Sequence, residues 1–318
     1  MTPTQLRAFA AVVRLGSVKE AAAELAVTEA AVSGHVALLR KELDDQLFTR
    51  TGAGLAFTPG GLRLASRAIE MLGLQDQTKR EVSAAGQGRR LLRLATSSLF
   101  AEHAAPGLIQ LFTSRAKDLD VELSVRPTAH LAGLLTTRAI DVAIGPAEAL
   151  SPEALPVTPF LKYQVAVVVG DAHRLAAGRA HPDALRDELW LLGPSAAASD
   201  GVTRRLLRTL GVPEDRQRIF QSHAAALEEV MRGTGVGVAV TFSVAADLAE
   251  GRLVQVDARG TRAEGMWAAM TLPADSVTGA AAELVRFITT PRATQAMLHG
   301  AGATIGHFRP SVHVTLWS

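Results

Sequence analysis

The run TEAAVSGHVALLRKEL, residues 28–43, holds the side chains best suited to reading a base pair. At 100° per residue Val32, Val36, Leu39 and Leu43 form one stripe, which predicts a buried face, and Ala30, Ser33, Gly34, Ala37 and Lys41 fall opposite. The first four of that outer set are small. Such a helix can sit deep in the major groove of double-stranded DNA and bring Thr28, Glu29 and Ser33 to base edges. A carboxylate at Glu29 opposes phosphate, yet it can accept a hydrogen bond from a cytosine amino group. The local alternative is that Glu29 only answers the positive end of its own helix. Among nearby cations, Arg7, Lys19, Arg40 and Lys41 are either phosphate contacts or solvated surface charges.

A second chemistry belongs to hydroxyls placed where predicted strands give way to helices. These are Thr96-Ser97-Ser98, Thr128 with His130, Ser195 with Thr203, and Thr241, joined by the turn Gly145-Pro146. Hydroxyls and free N–H groups at such places suit a small polar or anionic metabolite, although the same hydroxyls also cap helices. His130, His223 and Lys162 are open between ligand contact and structural or surface roles. Enzymatic constellations are missing from the sequence. The nine histidines show no H-E-x-x-H spacing, there is no G-x-S-x-G, and neither GTGVGV (233–238) nor GAGLAF (52–57) lies between a strand and a helix as a nucleotide loop must. The expectation is a protein that is not an enzyme and needs no metal or cofactor.

Three helices must position the reading stretch. Residues 4–14 form an amphipathic helix with Thr4 as its expected cap, Ser17 caps a second helix over 18–25, and Thr28 caps the third after a tight turn at Ala26-Val27. Ala22 and Ala26 are small enough for two helices to cross closely, as a helix-turn-helix requires. LFTR (47–50) and LAF (55–57) then read as a hairpin, or wing. Thr58 and Pro59 open a long helix to about residue 85, on which Leu62, Ala65, Ile69 and Leu72 predict a seam for a partner helix. The alternative is packing on its own chain. Gly86-Gln87-Gly88 supplies a hinge. Beyond it strands alternate with helices in two sets, one before and one after QVAVVVG (164–170), which predicts two α/β lobes linked by two crossings.

Composition agrees with a soluble, folded chain. Of 318 residues 48% are hydrophobic and 20% charged, and no run approaches the ~18 apolar residues of a membrane helix. No membrane association and a cytoplasmic location are expected. The chain has no cysteine, so neither disulfides nor thiolate chemistry enters. Net charge is +2, but residues 1–93 hold 13 Lys+Arg against 9 Asp+Glu, so the basic excess lies at the N-terminal end. A dimer would double that field at a shared nucleic-acid site.

The N-terminal motifs then point to a family. Gln5-Leu6-Arg7-Ala8-Phe9, Gly16-Ser17-Val18, Ala21-Ala22, Ala31-Val32-Ser33, Leu47-Phe48-Thr49-Arg50 and Thr58-Pro59-Gly60-Gly61 follow one another as in the LysR-type transcriptional regulators. About 60 residues resemble that many-point pattern, and DVELSV, IDVAIG and VMRGTGVGVAVT resemble its effector lobes more loosely. The resemblance implies a winged helix-turn-helix over 1–58 and a linker and dimerisation helix with hinge over 59–88. It implies a two-lobe, periplasmic-binding-protein-like α/β effector domain over 89–303, with lobe I at 89–163 and 265–303 and lobe II at 164–264. Residues 304–318 form a tail in which Val312, Val314 and Leu316 alternate like an edge strand.

The resemblance also implies partners: double-stranded DNA, a small-molecule effector, a second copy through the linker helix to give a homodimer, a homotetramer on two half-sites, and RNA polymerase. It makes Arg50 the foremost phosphate contact and Thr96 to Ser98 an effector-contacting turn. Thr28-Glu29-Ala30 stands where the family often has a glutamine between small residues, and Gly34-His35 also departs from it. A glutamine base contact therefore does not carry over to Glu29. The rival reading is a metabolite-sensing, solute-binding-like protein whose N-terminal domain contacts protein.

Overall fold

The first helix starts earlier than Thr4. Thr2 Oγ1 accepts from Gln5 N at 3.3 Å while Thr2 N donates to Gln5 Oε1 at 2.7 Å, a capping box that, with Pro3 at the first helical position, fixes the start there. The structure, a computed structural model, describes the chain except residues 52–53, 87, 151–154, 178–179, 199–200 and 300–318, and describes residues 50, 51, 54, 84 and 85 by backbone only. The expected strand in the tail lies outside the described residues. Contacts divide the chain into two compact units, one built mainly from residues 1–87 and one mainly from residue 88 onward.

The first unit runs α1 (Pro3–Leu15), α2 (Val18–Glu24), α3 (Glu29–Leu43), β1 (Phe48–Thr51), β2 (Gly54–Phe57) and α4 (Pro59–Gly86). α2 and α3 meet at 112°, the near-perpendicular crossing of a helix-turn-helix, and Ala26 takes a left-handed φ of 53° in the turn between them. Phe9, Val12, Ala21, Val32, Val36 and Leu39 form its core, closed by Leu47, Phe48 and Ala68. Leu43 does not join them: it is 40% exposed, because the last turn of α3 runs past the edge of that core. The expected seam on α4 is also revised. Ala65 packs inward beside Leu64 and Ala68 and Leu72 packs partly buried on the same core, whereas Leu62 and Ile69, with Met71, Leu74 and Val82, are exposed.

The second unit runs β3 (Arg90–Thr96), α5 (Ser98–His103), α6 (Ala105–Arg115), β4 (Leu119–Val125), α7 (Thr128–Thr136), β5 (Val142–Pro146), β6 (Val157–Gly170), β7 (Trp190–Leu192), α8 (Val202–Leu210), β8 (Gln217–Ile219), α9 (His223–Met231), β9 (Val236–Val240), α10 (Ala245–Ala249), β10 (Leu253–Gln255), β11 (Arg262–Met270), α11 (Gly279–Ile288) and α12 (Pro291–His299). The sequence predicts one helix near 102–116. Two form, because Pro106 has no N–H for the Glu102 carbonyl and its ring crowds that carbonyl, so the chain leaves helical geometry at Ala104 (φ −124°) and restarts at Ala105, with proline in the first turn where it is tolerated.

Parallel β3, β4 and β5 make the first lobe, and β7 pairs in parallel with β8 and β9 in the second. The crossings between lobes are strands. β6, 14 residues long, pairs antiparallel with β11 and β9, so one sheet of order β4-β3-β5-β11-β6-β9-β7-β8 serves both lobes, with β10 also on β6. The β6–β11 register shifts between Trp267 and Ala268. The C-terminal ends of each lobe's parallel strands carry the connections toward α5, α7 and α9, which is where α/β sheets bind ligands.

Candidate nucleic-acid interface and effector cleft

α3 presents Glu29, Ala30, Ser33, Gly34, Ala37 and Lys41 to solvent and keeps His35 half-buried. Thr28 caps it, its Oγ1 accepting from Ala31 N at 3.2 Å, so that hydroxyl already has a local task. Leu38, which the sequence reading passed over, is 53% exposed on the same face and joins Ala31, Gly34, His35, Ala37 and Lys41 around a shallow apolar depression. Its signal was present: position 38 projects away from the Val32–Val36–Leu39 stripe.

The cations divide by what holds them. Arg40 donates from Nε to Gln46 O and from Nη2 to Phe48 O, both at 2.6 Å, and lies over the Phe48 ring. It braces the approach to the wing and is not held as a free phosphate clamp. Arg7 pairs with Asp76 at 3.5 Å, while Lys19 and Lys41 are exposed. Arg50 takes its place in β1 opposite Leu55, and its side chain lies outside the described residues.

The wing is stapled to the start of α4. Asp45 Oδ1 accepts from Leu47 N at 2.6 Å and from Thr58 Oγ1 at 2.7 Å, bonds that hold its carboxyl below the usual range, and Thr58 Oγ1 accepts from Gly61 N at 2.9 Å. A Cβ on Gly61 would lie 1.9 Å from the Leu47 carbonyl oxygen, which is why this turn requires glycine.

In the second unit Thr96, Ser97, Gly145 and Pro146 gather at the C-terminal ends of β3 and β5, and Thr128 opens α7 after β4. Thr96 is fully buried, Gly145 and Pro146 are buried, Thr128 and Ser98 are half-buried and His130 is exposed. Ser97 occupies the cap position of α5 without making a cap bond, and its Oγ is buried with no partner. Tyr163 OH and Trp267 Nε1 are likewise buried and unpartnered. Their rings stack at 4.0 Å inside an aromatic group in which Phe100 and Phe242 approach Trp267 at 5.2 and 6.2 Å and Phe160 approaches Phe100 at 5.8 Å. Burial pushes the Tyr163 phenol up, so it is a neutral donor. Neither Tyr163 nor Trp267 was a sequence candidate, since a buried aromatic reads as core. Thr241 donates to Gln164 O at 3.3 Å.

Ser195 and Thr203 come together, but around His223. Ser195 Oγ lies 3.2 Å from Thr203 Oγ1 and 2.9 Å from His223 Nε2, and His223 Nδ1 lies 2.7 Å from Glu102 Oε2. Glu102 also accepts from His223 N at 3.0 Å and Ala224 N at 2.7 Å. Burial raises its carboxyl, but the His223 contacts and these two N–H groups outweigh it and bring the pKa down to about 2. Nucleophile, imidazole and carboxylate stand in the order of an acyl-transfer relay. Here the imidazole is sealed at 3% exposure and the serine oxygen meets Thr203 on its other side, so the chain of bonds ends within the protein. Both ring nitrogens of His223 are thus engaged within the protein. Among the described residues no cluster of three or more His, Asp or Glu groups could hold a metal ion.

Comparison with known proteins places this geometry. Residues 3–62 match the model of the bacterial regulatory helix-turn-helix protein, lysR family, and residues 85–291 that of the LysR substrate binding domain. An uncharacterized HTH-type transcriptional regulator of Mycobacterium tuberculosis is 60% identical over the full length of both chains. The RuBisCO operon transcriptional regulator of Allochromatium vinosum is 27% identical over 83% of this chain and 87% of its own. Among solved structures ArgP from Mycobacterium tuberculosis superposes with a TM-score of 0.59 at 20% identity, covering 94% of this chain and 97% of that one. With a 112° helix-turn-helix, a wing, a long helix and a two-lobe α/β domain in that order, the chain belongs to the LysR-type family of helix-turn-helix transcriptional regulators.

Proposed function

We propose that the chain is a sequence-specific regulator, acting in the cytoplasm, that reads double-stranded DNA through α3 and answers to a small polar or anionic metabolite bound between its lobes, without enzymatic turnover. The outer face of α3 supports the reading. Ala30, Ser33, Gly34 and Ala37 keep it thin enough for the major groove, Glu29 and Ser33 supply hydrogen-bonding groups, and Leu38 adds an apolar edge suited to a thymine methyl. Arg50, Lys19 and Lys41 would anchor phosphate. In selection from random duplexes, Glu29→Ala should relax one base position by about 10- to 100-fold, the worth of a good base contact. Arg50→Ala should weaken all sequences alike and lower the salt slope by about 1. No salt-resistant specific complex on the upstream DNA of its own gene would end the reading.

The effector site is carried by Tyr163 OH and Trp267 Nε1, buried polar atoms without partners in an aromatic group at the strands that join the lobes, and by Ser97 Oγ, also buried and unpartnered, at the start of α5. Buried donors are costly unless satisfied, which favours a ligand bearing acceptors beside a flat or apolar part. Binding changes DNA output only if the ligand prefers one lobe arrangement, so coupling requires that difference.

Assembly is assigned to α4. Met71, Leu74 and Val82 fall on one face with Thr78, and Met71, Leu74 and Val82 are 37, 48 and 68% exposed. A second copy of this helix would cover them as a coiled-coil seam, and two dimers would form a tetramer able to meet RNA polymerase. Leu74→Glu would bury an unpaired charge there. Its dimer dissociation constant in sedimentation should rise by at least ~100-fold, and an unchanged constant would move the interface off this face.

A further inference from the structure

We propose that Glu102 is a positioning residue for the effector response: a carboxylate of the first lobe seated in the second lobe, so that the chain's own groups hold the two lobes together. Glu102 stands near the end of α5 in the first lobe, and everything it binds belongs to the second. Oε2 takes the N–H and the Nδ1 of His223, and Oε1 takes the N–H of Ala224, at 2.7 to 3.0 Å. The two N–H groups are open donors at the start of α9, where the helix dipole favours a negative charge.

The far side of the ring continues the connection. With Nδ1–H donating to Glu102, Nε2 accepts from Ser195 Oγ at 2.9 Å, and Ser195 Oγ accepts from Thr203 Oγ1 at 3.2 Å on α8. One tautomer therefore satisfies every polar atom from the first lobe to the second lobe's interior. Gly193 makes room for it, since a Cβ there would lie 2.2 Å from the imidazole ring. A second crossing, Glu148 with Arg205 at 2.5 Å, is far more exposed and holds less.

The backbone leaves such a contact with leverage. β6 and β11 run through both lobes, and their register shifts at Trp267/Ala268. Lobe spacing then depends on side-chain contacts across the cleft, and of the two carboxylate crossings, Glu102 to His223 and Glu148 to Arg205, the first is the more buried and the more fully bonded. An effector that needs the lobes apart must break it, and one that needs them closed finds part of the ordering already done.

The absence of cysteine allows a direct measurement. Lys117 in the first lobe and Asp215 in the second are exposed, and cysteines placed at both carry spin labels on the full-length protein with no effector added. The parent should give one narrow distance distribution. Glu102→Ala should raise the population at longer distances by at least about tenfold, the scale of one charge-assisted hydrogen bond. Glu102→Gln, isosteric but turning an amide NH₂ toward the donors, should open it by less, and Ser195→Ala, which leaves the carboxylate contacts in place, should stay near the parent. Distances that do not change in either Glu102 variant would overturn the proposal. The measurement needs neither operator nor effector, so its failure is separate from failure of the DNA reading.

Discussion

Asp141→Ala lowers the stability of the full-length protein's second unit by about 3–5 kcal/mol, the scale for removing one member of a buried ion pair. Asp141 and Arg93 side chains are only 5% and 9% exposed. Oδ1 meets Arg93 Nη2 at 2.6 Å, and Oδ2 accepts from Nε at 3.1 Å and from Arg93 N at 2.8 Å. Asp141 N in turn donates to Arg93 O at 2.8 Å. The pair therefore fixes where β5 meets β3, one residue ahead of the Leu94–Val142 register. Against a usual total of 5–15 kcal/mol, that loss is enough to melt the domain at moderate temperature. Asp141→Asn keeps shape and one acceptor and should fall between. Replacing both partners by apolar residues of similar volume should recover most of the loss. Urea midpoints at one pH decide it: an alanine variant within 1 kcal/mol of the parent would mean that the pair is not isolated from water.

Periodicity in the sequence carried the exposed face of α3 because the core and the solvent impose opposite demands on one helix. Ala30, Ser33, Gly34, Ala37 and Lys41 are all exposed, as their angles predict. Leu43 failed because periodicity carries no information about where the body of the domain ends, and Leu38 was missed because an apolar residue is read as core by habit. The split between α5 and α6 was legible at Pro106. The Glu102–His223–Ser195 group was not. Its members are separated by 121 and 28 positions, and only the strand order brings them together. Ser195 and Thr203 were found as a pair, but the Thr203 hydroxyl meets Ser195 and the Ser195 hydroxyl meets His223, and buried polar atoms without a partner sit instead on Ser97, Tyr163 and Trp267.

Acid should destabilise the second unit through two neighbouring groups acting in different pH ranges. Burial, and after it the neighbouring His223 ring 5.3 Å away, lower the pKa of His103 to about 4, and Glu102 only partly offsets this. The unfolded chain takes that proton near 6.5, so His103 makes no difference above that pH and costs stability progressively as pH falls from about 6.5 to about 4. The full loss is of order 3 kcal/mol. Glu102 has the opposite chemistry and the same outcome. Its folded pKa is about 2 against 4.5, so its contribution is complete above 4.5 and is lost as pH falls toward 2. Its side chain is 26% exposed, and screening there leaves about 2 kcal/mol. Urea midpoints between pH 7 and 3 should therefore fall along two limbs. His103→Asn should flatten the limb between about 6.5 and 4 while leaving the lower one, and Glu102→Gln should flatten the lower one. A parent curve that is level from pH 7 to 4 would show that His103 takes its proton in the folded state, and so that the pocket around it admits water.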